Sequence, residues 1–229
     1  MNYILWNGKD SRDIKGLIIS ELPPITKPNM RVRETIVDGV DGSIIEEMGY
    51  ESYDKTVAIS LKIGADVDQI NEFFTGNGQV TFSNEPDRYY IARIIKSIDY
   101  ARLLRYRVAT VTFRVQPFKY DRVEVAREAT ENGITVRNIG NYTAKPLLYI
   151  EGTGTVEVTI NGKAMFRYTF PEEGDAVYID SEKQDAYLGD ALKNRDMEGE
   201  FPILEKGINV ITWSGTITFL QITKYSRWL

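Results

Sequence analysis

The chain of 229 residues contains no cysteine and no histidine. Without cysteine there is no disulfide frame, no thiolate nucleophile and no cysteine-bearing zinc site. Without histidine there is no Ser-His-Asp triad and no imidazole ligand. Only carboxylate-pair hydrolysis and an all-oxygen calcium or magnesium site survive these two absences. The missing cysteines also fit a reducing compartment. No apolar run approaches the roughly 20 residues of a membrane span. The opening MNYILWNGKD lacks the basic and apolar regions of a signal peptide, so none is expected. A basic excess is missing too: the net charge is −5, without the broad cationic footprint of a nucleic-acid binder.

What is present is ordinary for a soluble globular chain, with 42% hydrophobic and 27% charged residues. At roughly 100–150 residues per domain, the length predicts two domains. Charge is unevenly placed. Residues 1–120 are balanced and the acidic excess falls entirely in 121–229. The expected division is a domain over 1–120, a linker or edge strand over 121–135 and a second domain over 136–229.

Strand patterns dominate. In TVAISLKI at 56–63, Val57, Ile59, Leu61 and Ile63 share one face and Thr56, Ser60 and Lys62 the other, the period of a half-buried strand. Segments 79–83, 89–98 and 104–115 read the same way. In the last, Leu104, Tyr106 and Val108 give way to Val111, Phe113 and Val115, which predicts a bulge near Ala109. One short helix is expected after Asp66, with Gln69 completing a capping box, Val67, Ile70, Phe73 and Phe74 at helical spacing, and Gly76 as the stop. Beyond Pro117, segment 118–132 has only the alternation of Val123 and Val125. Asn161-Gly162 then marks a hairpin, because a type I′ turn needs positive φ at both central residues. Pro171 and Gly174 bracket another turn, and Gly189-Asp190 a third. Segments 208–213 and 216–223 read as two closing strands. Strands at this spacing predict a β-sandwich or jelly roll.

Motifs that carry chemistry fail on context. Gly152-Thr153-Gly154 begins like a dinucleotide loop, but no helix follows. VDGVDGS at 37–43 has Val40 and Gly49 where a calcium loop needs ligands, and reads as a glycine-rich hairpin turn. Glu46-Glu47 and Glu172-Glu173 read as solvated charges. Tyr100, Arg102, Arg105, Tyr106, Arg107 and Arg114 could hold single-stranded nucleic acid, but an exposed strand face with arginine stems over tyrosines accounts for them. No catalytic residues, metal, cofactor or small-molecule substrate are therefore expected, and a structural or binding role is favoured over an enzyme.

Several segments in order resemble the distal tail proteins of long-tailed (siphovirus) bacteriophages and prophages: VDGVDGS at 37–43, DVDQINEFFTGNGQVTFSNEPDRYYIARI at 66–94, VTFRVQPFKY at 111–120, NIGNYTAKPLLYIEGTGTVEVTING at 138–162, GEFPILEKGINVITW at 199–213, and the terminal Arg227-Trp228. The resemblance implies a mainly β chain. Its N-terminal domain would be a β-sandwich or split barrel with one short helix, and its C-terminal domain a galectin-like jelly-roll β-sandwich. It also implies a homo-hexameric ring at the virion tail tip, made in the host cytoplasm. The ring would join the tail-tube protein to a baseplate or fibre protein, with DNA only passing through its channel and no membrane partner. The chain has no room for the inserted sugar-binding modules of some relatives.

Residues 16–37 supply a candidate contact surface. Pro23, Pro24 and Pro28 cannot serve in a central strand, so this segment, with Ile25, is expected to run as an extended arm onto a neighbouring subunit. Arg31, Arg33 and Glu34 would pair across that boundary with partners such as Glu46 and Glu47. The alternative function is a carbohydrate-binding module for host cell-wall recognition, with Trp213, Tyr168 and Tyr178 as its candidate aromatics.

Overall fold

The computed structural model describes residues 1–39, 41–96, 98, 103, 105–172 and 174–229. The expectations that involve Val40, Tyr100, Arg102, Leu104 and Glu173 fall outside the described residues at those positions. The chain divides into two compact units, Met1–Arg122 with Leu229, and Val123–Trp228.

The first unit is built from β1 (Ile4–Trp6), β2 (Lys9–Asp10), β3 (Leu17–Glu21), β4 (Met30–Thr35), β5 (Ile44–Tyr50), β6 (Tyr53–Leu61), α1 (Val67–Phe73), β7 (Asn77–Phe82), β8 (Arg88–Ile94) and β9 (Val108–Asp121). Strands β2-β1-β7-β8-β9-β6-β3 form one antiparallel sheet in that order, and among the described residues β4 and β5 pair only with each other. The expected alternation in β6 places Val57, Ile59 and Leu61 in the core, but Ile63 lies beyond the strand end and is 90% exposed. Helix α1 forms as the sequence predicts. The Asp66 carboxylate accepts from the Gln69 amide at 3.0 Å. The Gln69 side chain accepts instead from the Lys15 amide at 3.1 Å, so only half of the capping box exists. Phe73 and Phe74 pack into the core. At its centre stands Phe113, edge-on to Trp6 at 5.3 Å, Phe82 at 5.7 Å and Phe74 at 6.3 Å.

The bulge expected near Ala109 is absent. Strands β6 and β9 stay in register from Ser60↔Val108 to Tyr53↔Val115. The phase change has another cause: Arg105 and Tyr106 are helical, and Arg107 turns the chain into β9 with φ 57°. The irregularity lies later, where β8 pairs Ala92 with Val115 but Tyr90 with Lys119. Pro117 sits in that gap, where a residue without an N–H breaks no ladder bond. Residues 118–121 therefore continue β9 rather than beginning a linker.

The second unit contains β10 (Arg127–Ala129), β11 (Ile134–Asn138), β12 (Leu147–Ile160), β13 (Lys163–Thr169), β14 (Asp175–Asp180), β15 (Asp185–Leu188), β16 (Ala191–Leu192), β17 (Met197–Gly199) and β18 (Gly207–Thr223). The two closing strands expected at 208–213 and 216–223 are one strand of 17 residues. Their apparent break is a bend. Gly154 and Gly215 both take positive φ, 66° and 84°, where the β12–β18 register shifts. A Cβ at Gly215 would stand 2.4 Å from the Thr155 carbonyl oxygen. The first half of β12 pairs β14 and the second half pairs β13, while β18 follows it throughout. Strands that bend at bulges carry the sheet round its own corner, and the unit is a β-sandwich around Leu148, Ile150, Val156, Val158, Val177, Ile211 and Leu220. Asn161 and Gly162 make the expected turn with φ 54° and 79°. The unit's first and last segments are tied together. Strand β10 pairs the end of β18, the Ser226 amide donates to Glu124 Oε1 at 3.2 Å, and the Ile139 amide donates to Ser226 Oγ at 3.3 Å.

Candidate interface arm and its root

Strands β4 and β5 form a hairpin whose turn lies in VDGVDGS, with Gly39 and Gly42 at φ 82° and 87°. Cross-strand pairs share a face. Val32, Glu34, Ile45 and Glu47 lie on one side, and Arg33, Thr35, Ile44 and Glu46 on the other. Each side carries an exposed isoleucine: Ile44 is 64% and Ile45 63% accessible, and Val32, Ile36 and Met48 are exposed too. An isolated two-stranded hairpin is marginal in water, so this ribbon gains from a surface that covers it.

The arm is not the extended segment that its prolines suggest. Residues Leu17–Glu21 enter the sheet as β3, and Met30–Thr35 enter the hairpin. Arg33 and Glu46, expected to meet across a subunit boundary, are cross-strand neighbours within one chain, with Nη1 to Oε2 at 3.3 Å. Arg31 Nη2 donates to the Met48 carbonyl at 3.1 Å, and the Ser43 hydroxyl donates to Glu34. These charges are used locally, and as exposed contacts they contribute about 0–1 kcal/mol each.

Pro23, Pro24, Ile25 and Pro28 lie in the irregular root between β3 and β4. Pro24 and Ile25 are exposed, whereas Pro23 and Pro28 are buried. The root rests on a buried polar cluster. Lys55 Nζ donates to the Pro24 carbonyl at 2.9 Å, Asn84 Nδ2 to the Pro23 carbonyl at 2.9 Å, and the Tyr53 hydroxyl to the Thr26 carbonyl at 3.3 Å. Lys55 is only 2% exposed. Its ammonium lies 4.9 Å from the Tyr90 ring centre, 5.6 Å from that of Tyr53 and 5.9 Å from that of Phe82. Glu85 accepts from Lys119 Nζ at 2.5 Å and from the Tyr90 hydroxyl at 2.6 Å.

Burial pushes the Lys55 ammonium down to about 8, against the attraction of Glu85. Burial would raise Glu85, but hydrogen bonds from Lys119 and Tyr90, with the charges of Lys119 and Lys55, hold it below its ordinary value. Burial lifts Tyr53 to about 12, and burial with the Glu85 hydrogen bond raises Tyr90. The sign for Lys55 follows from its lowered value. Between pH 8 and 10 the unfolded chain holds the proton that the folded chain has released, so stability rises with pH there. The stability of Lys55→Met relative to the parent chain should therefore fall by roughly 2 kcal/mol between pH 7.5 and 10. Urea unfolding of both chains at each pH measures it, and a constant difference would contradict the buried, depressed ammonium. Above pH 10 the raised tyrosines act in the opposite direction in both chains.

The remaining sequence candidates are not assembled into a site. Trp213 and Tyr168 are buried in the second core. Tyr178 stands on the outer face, stacked on Tyr187 at 5.4 Å and against Tyr149 at 4.8 Å. These ring faces, which a sugar would need, are engaged with one another. Arg114 pairs with Asp54 at 2.6 Å, Arg107 donates to the Lys62 carbonyl, and Arg105 lies over Tyr106. Gly152 and Gly154 lie within β12, not in a phosphate loop. Among the described residues no group of three or more acidic side chains is gathered as a metal site, and no helix is long and apolar enough to cross a membrane. Lys55 is the residue that sequence reasoning missed. It has the parity of Val57 and Ile59, which marks it as inward-facing.

No protein-family model matches the sequence, and no curated protein matches it. Solved structures do. Two superpose loosely: the phage P2 baseplate in its activated conformation with Ca (9% identity, 98% of each chain, TM-score 0.47) and with Sr (10% identity, 97% of each chain, TM-score 0.45). The SPP1 Dit (gp 19.1) protein, described as a paradigm of the hub adsorption apparatus in Gram-positive infecting phages, matches over 100% of both chains with TM-score 0.74 and 16% identity. From end to end, this chain has the fold of the SPP1 Dit protein.

Proposed function

We propose that the chain is a non-enzymatic structural hub at the distal tip of a bacteriophage tail, located in the virion after synthesis in the host cytoplasm. The whole-chain likeness to the SPP1 Dit hub protein carries this reading. In it, Met1–Arg122 is a ring-forming domain and the β10–β18 sandwich a second, outward domain. Six copies close a ring that joins a tail-tube protein to a baseplate or fibre protein, and DNA passes through the opening. The number six comes from the family resemblance. The exposed hairpin adds a physical reason for self-association, because head-to-tail closure requires two different faces on each subunit and the hairpin supplies one.

Electron microscopy and light scattering of the purified full chain test the proposal. A six-fold ring with a matching mass is the expected result. A monomer up to the highest soluble concentration, with no rings on the grid, would overturn it. A glycan-array signal from such a monomer would favour the carbohydrate-binding reading, which the stacking of Tyr178 on Tyr187 and its tilted contact with Tyr149 do not support.

A further inference from the structure

We infer that Lys55 is the positioning residue of the arm: it fixes the root of the β4–β5 hairpin to the sheet, so that the hairpin leaves the body in one set direction. The inference rests on reading the hairpin as the contact arm, and goes beyond it by naming what aims it.

The chemistry of the root gives the reason. Proline has no N–H, so a segment with Pro23, Pro24 and Pro28 cannot be held by a full strand ladder. Its carbonyl oxygens are the remaining handles. Three handles within four residues, the carbonyls of Pro23, Pro24 and Thr26, are taken by side-chain donors: Asn84 from the β7–β8 loop, and Lys55 and Tyr53 from β6. Of the three, only Lys55 brings a full charge, and an ionised donor makes the stronger bond. The aromatic faces of Tyr90, Tyr53 and Phe82 stand around the ammonium and favour its charged form.

Stability alone does not explain a lysine here. Val57, Ile59 and Leu61 continue the same inward row, and an apolar residue at position 55 would extend the core without the cost of burying a charge. The cluster also holds two ammoniums, Lys55 and Lys119, against the single carboxylate of Glu85. A buried charge retained under those conditions is accounted for by the geometry it enforces. The geometry enforced is the path of the root.

Backbone amide nitrogen-15 relaxation on the full chain tests this with Lys55→Met, which keeps length and apolar bulk and removes the donor. Order parameters of the Ile25, Thr26, Lys27 and Asn29 amides should fall from about 0.85 in the parent chain to below about 0.6. Amides of α1 and β9 should be unchanged. Unchanged root amides in a folded Lys55→Met chain overturn the inference. Should that variant fail to fold, the double change Tyr53→Phe/Asn84→Ala, which leaves Lys55 in place, is read at the same amides. Root order parameters that stay near the parent values support Lys55 as the fastening, and a fall below about 0.6 overturns it. Light scattering on the same samples is a separate readout. A loosened root with unaltered self-association leaves the positioning role standing and removes the hairpin as the contact arm, whereas lost association with a tight root does the reverse.

Discussion

Replacing Phe113 by alanine should destabilise the chain by about 3–5 kcal/mol. Phe113 is fully buried, and β9 holds it between β6 and β8, opposite Lys55 and Ile94. Its ring meets Trp6, Phe74 and Phe82 edge-on. Each such contact contributes about 0.5–1.5 kcal/mol beyond the area it buries. Trp6 and Phe82 are anchored in paired strands, so they cannot close the space that the ring leaves. A cavity that cannot relax gives a cost towards the upper end of the range. Urea unfolding followed by circular dichroism measures the loss. A decrease below about 1 kcal/mol would mean that the core repacks, and that Phe113 is not its centre.

If the proposed ring forms through the hairpin, the double change Val32→Ser/Ile45→Ser should weaken self-association by roughly 100- to 10,000-fold while leaving each subunit folded. Both side chains stand in solvent on one face of the hairpin, so their loss takes nothing from either core. If a neighbouring subunit covers that face, each apolar side chain contributes about 1.5–3 kcal/mol to association, and every 1.4 kcal/mol is tenfold in the dissociation constant. The Arg33–Glu46 pair lies on the opposite face and is untouched. Sedimentation equilibrium compares the two assemblies. Equal association constants would locate the subunit contact elsewhere than this face.

Much of this fold is legible in the sequence where burial is one-sided. Strand β6 declares itself because Val57, Ile59 and Leu61 alternate with the small or polar Thr56, Ala58 and Ser60. The Asn161-Gly162 turn is legible because few other pairs adopt two positive φ values. What stayed hidden shares a different physics. The hairpin strands have no inside face, so β4 and β5 leave no period-2 pattern, and only their glycine-rich turn could be read. Gly215 reads in sequence as a break between two strands, but with Gly154 it bends strands that continue. Pro117 reads as a stop, yet it is tolerated in β9 because the register slips there. The prolines mark the root of the hairpin rather than the hairpin itself, and the cluster beneath that root leaves no motif. A lysine in an otherwise apolar inward row was the available signal, and charge alone argued for the wrong side of the strand.

The joining of Glu124 to Ser226, with β10 laid beside the end of β18, has a consequence for how such a chain can change over generations. The sandwich begins and finishes at neighbouring points, like a loop of thread drawn through one hole. A recombination that swapped the coding stretch between those points would exchange one sandwich for another without stretching the polypeptide on either side. Domains with adjacent ends accept replacement of this kind. The same geometry confines large insertions to the turns remote from that junction, where added chain need not disturb the crossing at which the second unit is tied shut.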